Sequence, residues 1–370
     1  KQPVIEIVNM LEELRSSSKF IKNETAERRF LSSKLISYID YSLKNKQGIM
    51  LLQNRRGYSA YQECQNCGNV KMCVNCDITM IYHKIKNHLR CHYCGHVESL
   101  MEVCEKCSSP DLLLKGTGTE KVEEEIARLF PKAKIRRMDA DTVKGKDAHR
   151  KILKSFHERE FDILIGTQMI SKGLDFPNVY LVGVISADVG LMNPDFRSHE
   201  RTFQLLMQVA GRSGRSSDNG RVVIQTMQPD SYIFPYIVNH DYNSFFEKEI
   251  SYRNNFSYPP FSRMSLIEIS GKEPVKVNSL ASKIYLHLKN TLIRAGMESS
   301  GVEIMKPAPA LIYKIKNRYR YHIILKSLKL KNESGGKTEY LLKSLENYLE
   351  QNKIKSTEQV GIDVDRLSFY

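Results

Sequence analysis

Ile165-Gly-Thr-Gln-Met-Ile-Ser-Lys-Gly-Leu-Asp-Phe-Pro177 reads as a buried strand that stops at a Gly-Thr turn, with Lys172-Gly173-x-Asp175 on the next turn. Backbone and hydroxyl at such a turn can meet a phosphate. Outward from it, short apolar runs recur at Gly48–Gln53, Leu112–Lys115, Ile135–Met138, Val179–Ile185 and Val222–Gln225. Helix-patterned stretches separate them, as where Val122, Ile126 and Leu129 share one face. Strands alternating with helices predict a parallel α/β sheet. About forty residues on, Gln208-Val-Ala-Gly-Arg-Ser-Gly-Arg215 puts Arg212 and Arg215 three apart on a glycine-permitted turn. Both guanidinium groups can then approach one polyanion. The plainer readings are a solvated basic turn for the arginines and a helix cap for Asp175.

All eight cysteines fall in four Cys-x-x-Cys pairs: Cys64/Cys67, Cys73/Cys76, Cys91/Cys94 and Cys104/Cys107. A two-residue spacer lets both sulfurs of a pair reach one ion, so eight thiolates predict two tetrahedral Cys₄ zinc sites. Disulfides are the rival reading, but adjacent CxxC pairs bridge poorly as a framework. Fourteen residues separate Cys76 from Cys91, enough for a β-hairpin that brings the inner pairs together, and the closed inner loop then carries the outer pairs to each other. This nested pairing is expected over a sequential one, whose connections of five and nine residues are tighter. His83, His88, His92 and His96 lie nearby and read as bystanders or DNA-phosphate contacts, with a Cys₃His site as the alternative. The segment looks inserted between two strands of one sheet.

Beyond Tyr258-Pro-Pro-Phe261 the order strand, helix, strand, strand, helix, strand predicts a βαββαβ domain. From Lys306 to Lys331 there are eight Lys or Arg and no Asp or Glu, with Tyr313, Tyr319 and Tyr321 interleaved. Lys314, Lys316, Arg318 and Arg320 are therefore expected to track the phosphates of single-stranded DNA while rings stack on bases; a solvated basic face with core tyrosines is the alternative. The whole chain carries a net charge of +14, which favours an acidic polymer as partner. Its hydrophobic content of 41% is ordinary for a globular protein, and the longest apolar stretch, Val179–Ile185, is too short for a membrane span. With Lys1 first and no targeting segment visible, the chain is expected to be one part of a longer protein. The expected division is a lead-in over 1–46, an α/β lobe over 47–63 and 108–228, a zinc-binding insertion over 64–107, a helical linker over 229–262, and a C-terminal DNA- or partner-binding domain over 263–370.

Ile165–Pro177 and Gln208–Arg215 resemble motifs V and VI of superfamily 2 helicases. Asn54-Arg-Arg-Gly-Tyr58, the four CxxC pairs, Gly116-Thr-Gly-Thr-Glu120 and Asp195-Phe-Arg-Ser-His-Glu-Arg201 narrow the resemblance to the primosomal replication-restart helicases of bacteria. The resemblance implies a RecA-like second helicase lobe with the two-zinc segment inserted, followed by the C-terminal α+β domain. It implies that Gln208, Arg212 and Arg215 face ATP on a partner lobe, with Arg215 the arginine finger. Gly173 and Asp175 would serve the nucleotide, and Thr167 and Gln168 would touch the DNA backbone. Implied partners are forked and single-stranded DNA, the single-strand-binding protein and other primosome proteins, in the bacterial cytoplasm and nucleoid, with no membrane. Travel would run 3′ to 5′. No G-x-x-x-x-G-K-[ST] loop occurs; Gly336-Lys-Thr338 lacks the first glycine, because Lys331 stands there. The chain alone should not hydrolyse ATP, which with Mg²⁺ belongs to the whole enzyme. A zinc-dependent DNA-binding module without an ATPase role is the rival reading.

Overall fold

Met50 and Leu52 pack into one apolar cluster while Ile49 and Leu51 pack into another, the period-two alternation of a strand buried on both faces. The same split holds for Leu164 against Ile163 and Ile165, and for Val222 and Ile224 against Val223. The computed structural model describes residues 2–13, 30–53, 61–64, 66–67, 69–75, 79–83, 87–91, 96–115, 119–139, 142–143, 148–171, 178–191, 195–213, 220–352 and 358–365. These form two compact units, 1–59 with 116–248 and 60–115 with 249–370.

In the first unit, β1 (Val4–Asn9), β2 (Gly48–Leu52), β8 (Ile135–Met138), β9 (Ile163–Gly166), β10 (Val179–Val184) and β11 (Arg221–Thr226) form one sheet, in the order β1-β11-β10-β2-β9-β8. Every adjacent pair is parallel. Helices α1 (Ser33–Lys44) and α2 (Thr119–Leu129) cover one face through Leu35, Ile39, Val122 and Ile126. Helices α3 (Ala148–His157) and α5 (Ser198–Ala210) cover the other through Leu153, Phe156, Phe203 and Leu206, while the single turn α4 (Asp188–Leu191) follows β10. The expected lead-in over 1–46 carries helix α1, but its start is part of the lobe's sheet: β1 is an edge strand paired with β11 along its full length. Its Val-Ile-Glu-Ile-Val run is β-branched, and Ile5 and Val8 are buried. The expected linker is corrected too. Helix α6 (Ile233–Val238) and the start of α7 (Tyr242–Asn255) belong to the lobe, with Ile233, Phe234, Ile237 and Phe245 in its core and Phe245 stacked on Phe203 at 3.9 Å.

The second unit contains the cysteine-rich segment and the C-terminal residues. Strands β3 (Tyr61–Cys64) and β7 (Leu112–Lys115) pair antiparallel as a neck, and β4 (Ile81–His83), β5 (His88–Arg90) and β6 (Val97–Glu98) form a small antiparallel sheet between them. The segment is thus inserted between strands of its own ribbon. Leu112–Lys115, read from sequence among the lobe's strands, belongs to that neck.

The C-terminal sheet is β13 (Val302–Ile304), β15 (Arg318–Leu328), β12 (Ser262–Gly271) and β16 (Glu358–Asp363), with β14 (Ala308–Ile315) also paired to β15. Helices α8 (Pro274–Arg294) and α9 (Gly336–Gln351) cover one face, α8 through Val277, Ala281, Ile284, Leu288 and Leu292 at helical spacing. The expected βαββαβ order holds, with β14 as one strand more. No helix among the described residues is long and apolar enough to cross a membrane.

Candidate helicase motifs and zinc centre

Because the lobe strands are parallel, one edge of the sheet gathers their carboxyl ends and the other their amino ends. Thr167 and Gln168 sit at the carboxyl edge, directly after β9, where Gln168 opens a 3₁₀ turn to Ser171. A Cβ on Gly166 would lie 2.8 Å from the carbonyl oxygen of Met138, so this glycine lets β9 run tightly beside β8 up to the turn. At the same edge the buried Asp188 carboxylate accepts from Thr226 Oγ1 at 2.6 Å and from the Met227 N–H at 3.0 Å, tying the ends of β10 and β11.

The arginine turn lies at the opposite edge. Helix α5 runs back along the sheet, and its first turn is fixed by Asp195, which is fully buried and accepts from Arg201 Nη1 at 2.7 Å and from the Arg197 N–H at 2.9 Å. At its far end Gln208 is exposed and Arg212, four residues on, is buried. Ser213 Oγ donates to the Tyr180 carbonyl at 2.6 Å, pinning the turn beside the amino ends of β10 and β11. The structure therefore brings Gln208 and Arg212 onto one edge and keeps Thr167 and Gln168 on the other. Arg215, Gly173, Asp175, Asn54–Tyr58 and Thr117 lie outside the described residues. Sequence reading missed Asp188 and Asp195 as organisers of the two edges. The signal was available, since a carboxylate in an apolar setting needs partners.

Cys64, Cys67, Cys104 and Cys107 converge, their sulfurs all within 4.8 Å. Cys64 Sγ is 3.6 Å from Cys107 Sγ, and Cys67 Sγ is 3.6 Å from Cys104 Sγ. A tetrahedron with metal–sulfur bonds of about 2.3 Å has edges of about 3.8 Å, so the cluster fits zinc. Burial raises the Cys104 thiol, but the N–H groups of Cys107 and Lys106 and two neighbouring sulfurs outweigh it and hold the thiol at about 6. The Asn69 N–H favours a thiolate at Cys67, yet burial and the sulfurs of Cys107, Cys104 and Cys64 push that thiol up to about 12. Four such sulfurs cannot all ionise without a cation among them. The outer half of the nested pairing is thus a Cys₄ zinc site.

For the inner half, Cys73 and Cys91 are buried together with Met80 and Leu89, while Cys76 and Cys94 lie outside the described residues. Cys64, Cys91 and Cys104 each donate their N–H to the carbonyl five residues on, at 2.8 Å in all three, so Cys91 opens the same kind of knuckle as the two outer ones. Buried Lys71 pairs with Glu98 at 2.7 Å and with Glu105, joining strand β6 to the last knuckle. His96 Nε2 pairs with Glu98 at 2.8 Å.

The basic hairpin is placed differently from its sequence reading. Lys314 Nζ donates to the Val74 carbonyl at 2.8 Å, and Arg318 donates to the Ser270 carbonyl at 2.9 Å. Arg320 is paired with Glu268, and Lys316 is exposed at the turn. Lys314, Arg318 and Arg320 thus already have protein partners.

The His322 hydrogen bond, opposed by burial and backed by Arg320, holds the Glu268 carboxyl at about 2. An unfolded Glu titrates near 4.3, so between about pH 4.3 and 2 the unfolded chain binds more protons. The stabilisation is complete above that window and is lost as pH falls through it. After solvent screening it is on the order of 2 kcal/mol. In urea unfolding across this range, Glu268→Gln should flatten the acid limb relative to wild type. The difference between the two curves separates this titration from acid release of metal. Parallel curves would refute it.

A parallel α/β lobe with an arginine turn on one edge and a Gly-Thr turn on the other, in a chain with a Cys₄ ribbon, is a helicase-type second lobe carrying a zinc module. Residues 95–217 match the helicase conserved C-terminal domain, residues 73–98 the PriA DNA helicase Cys-rich region, and residues 254–367 the primosomal protein N C-terminal domain. The chain belongs to the PriA family. It is 42% identical over 324 residues to the replication restart protein PriA of Bacillus subtilis (strain 168), covering 88% of this chain and 38% of that protein. It is 38% identical over 369 residues to PriA of Rickettsia felis, covering 100% of this chain and 53% of that one. The chain thus spans roughly half or less of the relatives it matches.

Proposed function

We propose that this chain supplies the second lobe, zinc module and C-terminal domain of an ATP-dependent DNA helicase that unwinds abandoned replication forks so that replication can restart. The observation that carries the reading is the division of the lobe's two edges, with Gln208 and the pinned Arg212 on one and Thr167 and Gln168 on the other. Gln208, Arg212 and Arg215 would face ATP and Mg²⁺ held by a first lobe, and Gly173 and Asp175 would serve the nucleotide. Thr167 and Gln168 would meet the DNA backbone at the carboxyl edge. In the closed hairpin, Lys316 at the turn is the cation best exposed for single-stranded DNA. Two zinc ions per chain complete the module, the second on Cys73, Cys76, Cys91 and Cys94.

By family resemblance, the single-strand-binding protein and other primosome proteins would be partners of the whole enzyme in the cytoplasm and nucleoid, with 3′ to 5′ travel. The test is DNA-dependent ATP hydrolysis and fork unwinding by the full-length protein, beside the 370-residue chain alone. Hydrolysis and unwinding by the full-length protein only are expected. A full-length protein that binds forks but shows no DNA-stimulated hydrolysis would sink the helicase reading and leave a DNA-binding zinc module.

A further inference from the structure

Lys316 and Asn317, which join β14 to β15, both lie in the left-handed region, at φ 50° and 61°. That is the pair of conformations a tight two-residue hairpin requires. The hairpin end is held by the cysteine-rich module. The Asn317 N–H donates to the Asn75 carbonyl at 2.7 Å, and Lys314 Nζ donates to the Val74 carbonyl at 2.8 Å. Ile315 packs against the buried group of Cys73, Met80, Leu89 and Cys91.

Val74 and Asn75 are the two spacer residues of the Cys73-x-x-Cys76 knuckle. Both polar contacts therefore land on spacer carbonyls, whose direction is set when the two flanking thiolates close on one ion. The apolar contact lands on the cluster that contains two of the inner cysteines. A knuckle without metal has no reason to keep its spacer in this shape, because zinc ligation is what orders such small modules.

We propose that the β14–β15 turn is a latch seated on the inner zinc knuckle, so that metal in the inner site holds the turn closed and its loss frees the turn together with Lys314. This rests on the reading of the inner cysteines as a second zinc site. The latch passes the metal state of the module to the C-terminal domain. It also accounts for a basic, tyrosine-rich segment that looks built for solvent yet is committed to protein.

The Asn317 amide is the natural reporter, because its exchange with solvent requires the turn to lift. Hydrogen exchange over the hairpin and zinc content would be measured on wild type, Ile315→Ser, Cys91→Ser and Cys107→Ser. Ile315→Ser should keep two zinc ions while exchange at Asn317 rises on the order of 100-fold, the mark of a local opening. Cys91→Ser should lose one zinc with a similar rise, and Cys107→Ser should lose one zinc with Asn317 still protected. Asn317 protection that survives Ile315→Ser, or that survives Cys91→Ser at one zinc per chain, overturns the latch while sparing the two-zinc reading. Equal acceleration in Cys91→Ser and Cys107→Ser overturns its specificity for the inner site. A wild-type count of one zinc fails the two-zinc reading and with it the metal dependence of the latch.

Discussion

Replacing Arg215 by Ala in the full-length protein should cut DNA-stimulated ATP turnover on the order of 10³-fold, with DNA affinity and zinc content near wild type. A guanidinium that reaches the γ-phosphate only when two lobes close stabilises charge in the transition state and contributes little to ground-state binding. The structure supplies the fixed base such a group needs. Ser213 is hydrogen-bonded to the start of β10, and the Gly220 carbonyl accepts from the Val4 N–H at 3.0 Å. Steady-state hydrolysis with saturating single-stranded DNA is the measurement. Intact turnover in Arg215→Ala removes the finger assignment, and intact turnover in Arg212→Ala as well removes the helicase reading of this turn.

The second large effect is expected from metal. Elemental analysis should return two zinc ions per chain, and stripping each should cost on the order of 10 kcal/mol of folding free energy in the cysteine-rich module. The size follows from how little else holds the module together. Among the described residues its core cluster has four buried members, Cys73, Met80, Leu89 and Cys91, and two of these are cysteines of the inner set. So small a core cannot offset the entropy of ordering 56 residues, 60–115, on its own. Chelation should accordingly abolish the β3–β7 and β4–β5–β6 pairing while the parallel lobe, with two large apolar clusters, stays folded. A module that keeps its strands after both ions are removed would contradict this.

Much of the architecture was legible. The strand–helix alternation gave the parallel lobe, and loop lengths gave the pairing of the outer cysteines, because both are local patterns with one dominant cause. What escaped was decided by contacts between distant segments. Val4–Asn9 shows its strand character once Gly220–Thr226 lies beside it. The aromatic stretch around Phe245 reads as a linker because its partner, Phe203, is forty-two residues away. The hairpin's partners escaped for another reason. Lys314, Lys316, Arg318 and Arg320 recur at every second position, which is strand spacing as well as a basic stripe. In β15 that alternation turns Arg318 and Arg320 toward Ser270 and Glu268, while Tyr321 packs with the helices. The period predicts the strand, and the partners on β12 are what a charge count leaves out.

The latch contact joins residues 240 positions apart in the chain. At roughly 5–20 residues per second, the ribosome finishes the knuckle about 10–50 s before it delivers the hairpin that will sit on it. For that interval the nascent module has no C-terminal domain to lean on. Under the proposed latch, the knuckle is made first and is the seat onto which the later hairpin folds.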